Sequence, residues 1–230
     1  MYQWRKMTAE ERDAALRERV GSRLRDAADQ LGLPLLEVAT DLQALGLAAG
    51  VGWGDYHGAA LATVAMLLAP AFERFLVPAT HTYGHLEGLG SHPLLDPLWS
   101  TEAVELVHDG ADATRAQKLT RLADVPAARA HLRVCWRNTD GAYNCGTCEK
   151  CVRTAVAARV AGLEGVFATL GSPTLAAIAK VRATGRGSAW DDLHGELIRS
   201  GASPRLRRAV QVVLVRHQLA RWSLTRRWFA

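Results

Sequence analysis

Cys135, Cys145, Cys148 and Cys151 are the only cysteines of the chain, and they follow one another as Cys-x9-Cys-x2-Cys-x2-Cys. Thiolates are soft donors, and a tetrahedral zinc ion takes four of them at about 2.3 Å with no directional demand from its filled d shell. The two short spacings suit that geometry. Gly146 lets the backbone turn tightly after Cys145, and Cys148 and Cys151, three apart, face the same way from the first turn of a helix. Four thiolates leave no open coordination position, so the expected ion holds structure and activates no water. Reduced structural thiols, a redox dithiol and an iron–sulfur cluster are the other chemistries open to such a set.

Other residues have the types needed for acid–base or anion chemistry. Ser91, His92 and Asp96 fall in a long loop after an expected strand, where open parallel sheets bind ligands, and His and Asp there can act as acid and base or bond to loop backbone. His108 and Asp109 close the next expected strand. Arg115 and Lys118 lie one turn apart on an expected helix, so they can meet phosphate oxygens or sit on a solvated face. Arg153, just beyond the last cysteine, can reach a ligand or pair with Glu149 four residues earlier. His81 and His85 are four apart, but Gly84 lies between them and no Glu follows His81, so they do not read as a metal pair.

The elements that must position these groups follow from periodicity and punctuation. Thr8 and Glu11 have the form of a capping box, and apolar residues recur at helical spacing until Gly32 and Pro34, which predicts a helix over Ala9–Leu31. Strands are predicted over Pro34–Thr40, Arg74–Thr80, Val104–His108 and His131–Trp136, the last delivering Cys135. Helices are predicted over Tyr56–Leu68, Ala111–Ala123, Glu149–Ala161, Pro173–Ala183, Trp190–Arg199 and Pro204–Trp228. The connection from His81 to Thr101 is long enough to be expected to carry function. Strands alternating with helices predict an α/β fold with a parallel sheet.

The composition is that of an ordinary globular chain: 230 residues, 49% hydrophobic and 22% charged. This excludes a largely disordered protein. The longest apolar run, Ala59 to Phe72, is too short to span a bilayer and contains Pro70. No secretory leader is evident, so a cytoplasmic location is expected. The formal net charge is +5, and the excess sits at the end, where Arg205, Arg207, Arg208, Arg216, Arg221, Arg226 and Arg227 meet no Asp or Glu after Gly201. Interleaved with Leu206, Val210, Val213, Leu214 and Trp222, they read as an amphipathic helix whose basic face is solvated or touches RNA or an anionic membrane. Gly50, Gly52 and Gly54 fit no phosphate-binding motif and read as a flexible connector.

Two stretches carry a family resemblance. HLRVCWRNTDGAYNCGTCEKCVRT resembles the metal-binding end of cyano-deazaguanine synthases and their relatives in the PP-loop ATP pyrophosphatase superfamily, through Cys135, Cys145, Gly146, Cys148, Cys151 and Arg153. GSHPLLDPLWSTEAVELVHDGADATRAQKLTRLAD is similar to the segment preceding that knuckle, with Lys118 in the place of a recurring Lys. The resemblance spans about Leu16 to Ala161. It implies a Rossmann-like sheet, ATP-dependent adenylation of a carboxylate-type oxygen and displacement of AMP by a nitrogen nucleophile, which in the named family is ammonia acting on a carboxy-deazaguanine.

The superfamily's Ser-Gly-Gly-x-Asp-Ser loop, whose amides cradle pyrophosphate, does not occur in this sequence. The resemblance therefore implies ATP and Mg2+ only where that loop is supplied, and no activity from the segment as it stands. The expected architecture is a partial Rossmann-like (HUP-type) domain over 1–134, a zinc knuckle and helix over 135–162, and a helical Arg-rich region over 163–230. The expected function is the downstream portion of a PP-loop-type nitrogen-transfer enzyme, with Asp96, His92 and Lys118 catalytic and Ser91, Asp109, Arg115 and Arg153 binding substrate or phosphate. The alternatives are a non-catalytic zinc-stabilised module that binds a nucleotide-like ligand or RNA, and a thiol redox protein.

Overall fold

The computed structural model describes residues 9–184 and 188–226. The chain is mostly helical, with one small parallel sheet, and forms two compact units: residues 37–114, and residues 1–36 together with 115–230. The expected knuckle and helical C-terminal region thus share a unit with the first helix. Thr8, Arg227 and Trp228 of the expected elements lie outside the described residues.

The unit of residues 37–114 holds, in chain order, α2 (Leu42–Ala48) and α3 (Trp53–Leu67), then β1 (Arg74–Pro78) and β2 (Glu105–Asp109); α1 (Ala9–Leu31) belongs to the other unit. The two strands pair in parallel, Val77 opposite His108 and Pro78 opposite Asp109. Parallel neighbours need a crossover, and here the long connection makes it with short 3-10 turns at Tyr83–His85 and Asp96–Trp99. Ala62, Ala65, Val77, Val104 and Leu106 form the core. Gly58 of α3 and Gly90 of the connection touch backbone to backbone: a Cβ on Gly58 would stand 2.0 Å from the Gly90 carbonyl oxygen. Only residues without a side chain permit that approach, and it sets Ser91 beside the helix.

The other unit holds α1 (Ala9–Leu31), α4 (Arg115–Leu122), α5 (Pro126–His131), α6 (Glu149–Val160), α7 (Leu175–Lys180), α8 (Ser188–Arg199) and α9 (Pro204–Arg226). Its core joins Val152 and Val156 of α6 to Phe167, Ile178, Trp190, Leu197, Val210 and Val213. Ala155, Ala157 and Ala158 are buried as well, so α6 is enclosed on most sides and its small residues let neighbouring helices approach. Each large side chain so enclosed contributes roughly 1.5–3 kcal/mol.

Several expected elements differ. Residues 33–41 form no strand; they run as irregular chain, with Leu33, Leu36 and Val38 exposed, because no neighbouring strand takes up their backbone groups. Residues 132–138 are not a strand either. The Val134 and Cys135 amides, which a strand would give to a neighbour's carbonyls, both donate to the side-chain oxygen of Asn144, at 2.9 and 3.0 Å. The helices α2 and α5 were not expected. Gly50 and Gly52 do lie in a connector, Gly50 at φ +74, but Gly54 belongs to α3.

Candidate functional site

The four cysteines meet at the N-terminus of α6. Cys148 is the residue before the helix, Cys151 sits in its first turn, and Gly146 turns the chain with φ +70. Cys135 and Cys145 arrive on irregular backbone. All four sulfurs lie within 4.8 Å of one another, with Cys135 to Cys148 at 3.8 Å and Cys145 to Cys151 at 3.9 Å. Four sulfurs at about 2.3 Å from one tetrahedral ion stand about 3.8 Å apart, so the arrangement fits a metal ion of zinc's size. Among the described residues no other group of three or more His, Cys, Asp or Glu side chains is gathered this way.

Amides support the sulfurs: Asn138 N–H donates to Cys135 Sγ and Cys148 N–H to Cys145 Sγ, both at 3.3 Å. As free thiols, Cys145 differs from Cys148 and Cys151. Burial raises Cys145, but hydrogen bonds from Thr147 and the Cys148 amide outweigh it and bring the thiol down to about 6. Burial leads in raising both Cys148 and Cys151.

Asn144 is a supporting residue that sequence reasoning missed. Besides accepting from Val134 and Cys135, its amide nitrogen donates to the Leu132 carbonyl at 2.9 Å and the Thr169 carbonyl at 3.1 Å. One side chain therefore uses both donors and both acceptor sites to hold the Cys135 segment. Its position just before Cys145 was the available signal.

A second polar cluster lies in the unit of residues 37–114. Asp96 is 1% exposed. One of its carboxylate oxygens accepts from Ser91 Oγ at 2.7 Å and from His108 Nδ1 at 2.6 Å, and the other from the His92 amide at 3.2 Å. The His108 side chain is itself only 6% exposed. The two residues come from the 3-10 turn after the glycine contact and from the carboxyl end of β2, which explains why a separation of twelve positions closes to a hydrogen bond. His108, not His92, is the imidazole on Asp96; His92 Nδ1 accepts instead from the Leu94 amide at 3.1 Å. A ring tied through Nδ1 to a carboxylate has its tautomer and orientation set, leaving Nε2 as the atom able to take a proton. Asp109 is exposed at the strand end, where its carbonyl accepts from the Ala79 amide at 2.7 Å.

A third cluster lines α4 and α6 beside the knuckle. Glu149 is buried and accepts from Trp190 Nε1 at 3.0 Å, Thr184 Oγ1 at 3.1 Å and Arg153 at 2.9 Å. Arg153 is buried too, and its Nε has no partner. Arg115 lies close, its hydrogen bond to Thr154 Oγ1 a long 3.4 Å contact. Burial first, then the charge of Arg153, lower the Arg115 guanidinium to about 10, against the pull of Glu149. Lys150 is also lowered, by burial and then by Arg115 and Arg153. Lys118 is partly buried one turn beyond Arg115 on α4.

On α9, Leu206, Val210, Val213 and Leu214 pack inward as the periodicity required, while Arg205, Arg208, Arg216 and Arg221 are exposed. No helix among the described residues is long and apolar enough to cross a membrane. Compared with models of known protein families, with curated proteins and with solved structures, the chain gives no significant match.

Proposed function

We propose that this chain is the zinc-bearing portion of a PP-loop-type, ATP-dependent nitrogen-transfer enzyme of the cyano-deazaguanine synthase kind, with a partial Rossmann-like sheet. The observation that carries the reading is the four-sulfur cluster at the start of α6 with Arg153 directly behind it, the combination on which the resemblance rests. Cys135, Cys145, Cys148 and Cys151 would hold one zinc, which supplies a cross-link between the irregular Cys135 segment and α6 and no open coordination position. ATP and Mg2+ belong to this reading only together with a Ser-Gly-Gly-x-Asp-Ser segment. The residues of this chain then divide the remaining work. His108, held by Asp96, takes a proton from the attacking nitrogen at Nε2, and Ser91 keeps the carboxylate fixed.

The reading is tested in two steps. The coding sequence upstream of Met1 is expected to supply a strand and the Ser-Gly-Gly-x-Asp loop in frame. The protein carrying both segments is expected to hold one zinc per chain and to exchange labelled pyrophosphate into ATP in the presence of its carboxylate substrate. A folded, zinc-loaded protein with the loop but without exchange on any carboxylate-bearing purine-like acid would refute it. The exposed arginines of α9 favour a second reading, a zinc-stabilised module that binds RNA or a nucleotide-like ligand without catalysis. RNA binding that is lost when Arg205, Arg208, Arg216 and Arg221 become Gln, in a protein that exchanges no pyrophosphate, would select it.

A further inference from the structure

We infer that Arg115, Lys150 and Arg153 form a phosphate-type anion site on the α4–α6 face, with Glu149 as a fixed internal counter-charge and not as part of the ligand shell. The charges themselves call for it. Arg153 is ion-paired to Glu149, and Arg115 and Lys150 lie within electrostatic reach of both, while that carboxylate is already committed to Trp190, Thr184 and Arg153. Arg153 uses one Nη on Glu149 and keeps a buried Nε–H with no acceptor. Arg115 feels the Glu149 charge but makes no ion pair among the described residues; its hydrogen bond is to the Thr154 hydroxyl, at 3.4 Å.

Two guanidinium groups drawn together and partly out of water repel each other and lose hydration, an arrangement that persists where an anion supplies the missing acceptors. A guanidinium presents a planar fork that suits two oxygens of one phosphate, and two forks with an ammonium suit a phosphate or pyrophosphate better than a single carboxylate. Glu149 anchored by the buried indole of Trp190 sets the Arg153 fork in place, much as an outer carboxylate orients a metal ligand. That the anion belongs to a nucleotide-like ligand rests on the function proposed above; the site itself rests on the buried, unpartnered Arg153 Nε–H and on Arg115 held beside it at Thr154.

The test is a calorimetric titration of this zinc-loaded chain with inorganic pyrophosphate, with inorganic phosphate alongside. The sequence contains no Ser-Gly-Gly-x-Asp-Ser loop, and dependence on Arg115 and Arg153 separates this site from the exposed arginines of α9. The expected result is saturable one-to-one binding that weakens about ten- to hundredfold in Arg115→Gln and in Arg153→Lys, which keeps the charge but loses the fork. Zinc content and thermal midpoint, measured on the same samples, are expected to remain close to those of the parent in Arg115→Gln. The parent failing to bind, or Arg115→Gln binding as tightly as the parent, would overturn the site. So would Arg115→Gln losing zinc while its anion affinity holds, because the cations would then serve only to offset the negative thiolate centre. Binding intact here, with no pyrophosphate exchange by the protein that carries the loop as well, sinks the enzyme reading and leaves this site; the reverse outcome sinks the site alone.

Discussion

The cysteine knuckle and the Asp96 cluster solve the same problem, holding irregular backbone in place, with opposite chemistry. At the knuckle every strong donor points at one centre: four sulfurs within 4.8 Å, with nothing left over for a substrate. At Asp96 the carboxylate is the centre, and its donors Ser91, the His92 amide and His108 surround it. The imidazole spends only one of its two nitrogens there. A closed thiolate shell builds structure, whereas a carboxylate–imidazole pair builds structure and leaves one ring atom available for proton transfer.

The contrast can be broken first at the metal. Cys148→Ser, or a strong chelator, is expected to release the zinc and unfold the start of α6, because ligand binding and folding are one equilibrium worth on the order of 10 kcal/mol in zinc-finger-like sites. Metal content and far-ultraviolet circular dichroism would check it, and a folded, metal-free protein of unchanged thermal midpoint would sink the structural role. Acid is expected to act in the same direction. Protons compete with the metal for the thiolates, so affinity falls as the pH is lowered, most simply followed by a colorimetric zinc indicator.

The Asp96 cluster is expected to break more gently. Asp96→Asn leaves a buried imidazole facing an amide in place of a carboxylate, at a cost of about 2–4 kcal/mol in urea unfolding. The zinc content should not move, and a simultaneous loss of metal would show that the two clusters are not the independent devices described here. Asn144→Ala removes four hydrogen bonds behind Cys135 and is expected to cost about 2–3 kcal/mol, with the metal still bound but more easily chelated. The smallest effect is expected at the exposed pair of Arg74 and Glu105, 2.6 Å apart across the two strands. Arg74→Ala should shift stability by less than about 1 kcal/mol, a shift that salt erases.

Local signals in the chain were legible where one short stretch contained the whole reason. The helix from Ala9 to Leu31 has its periodicity and its Gly32 stop within itself, and α6, α8 and the start of α9 were found on the same grounds. The strands β1 and β2 were recognised because each is a compact apolar run that finds the other. Pro34–Thr40 is a short apolar run as well and forms no strand, since strand character needs a partner that composition does not reveal. His131–Trp136 failed for a related reason: a side chain ten residues away took the hydrogen bonds that a neighbouring strand would have used.

By itself, then, the order of residues determined that Cys145, Cys148 and Cys151 stand close enough to share an ion, because x2 spacings and Gly146 confine them to one turn; Asn144 and the packed chain bring Cys135 to them. It also determined that Arg153 and Glu149 lie on one helical face. Only the tertiary structure decided that His108 meets Asp96, that Trp190 reaches Glu149 from 41 positions away, and that Arg115 of α4 reaches Thr154 of α6. The physical reason is range. Ligand spacing and helical pitch act over a few residues, whereas the partner of a buried charge is chosen by whichever distant segment the packed core brings alongside.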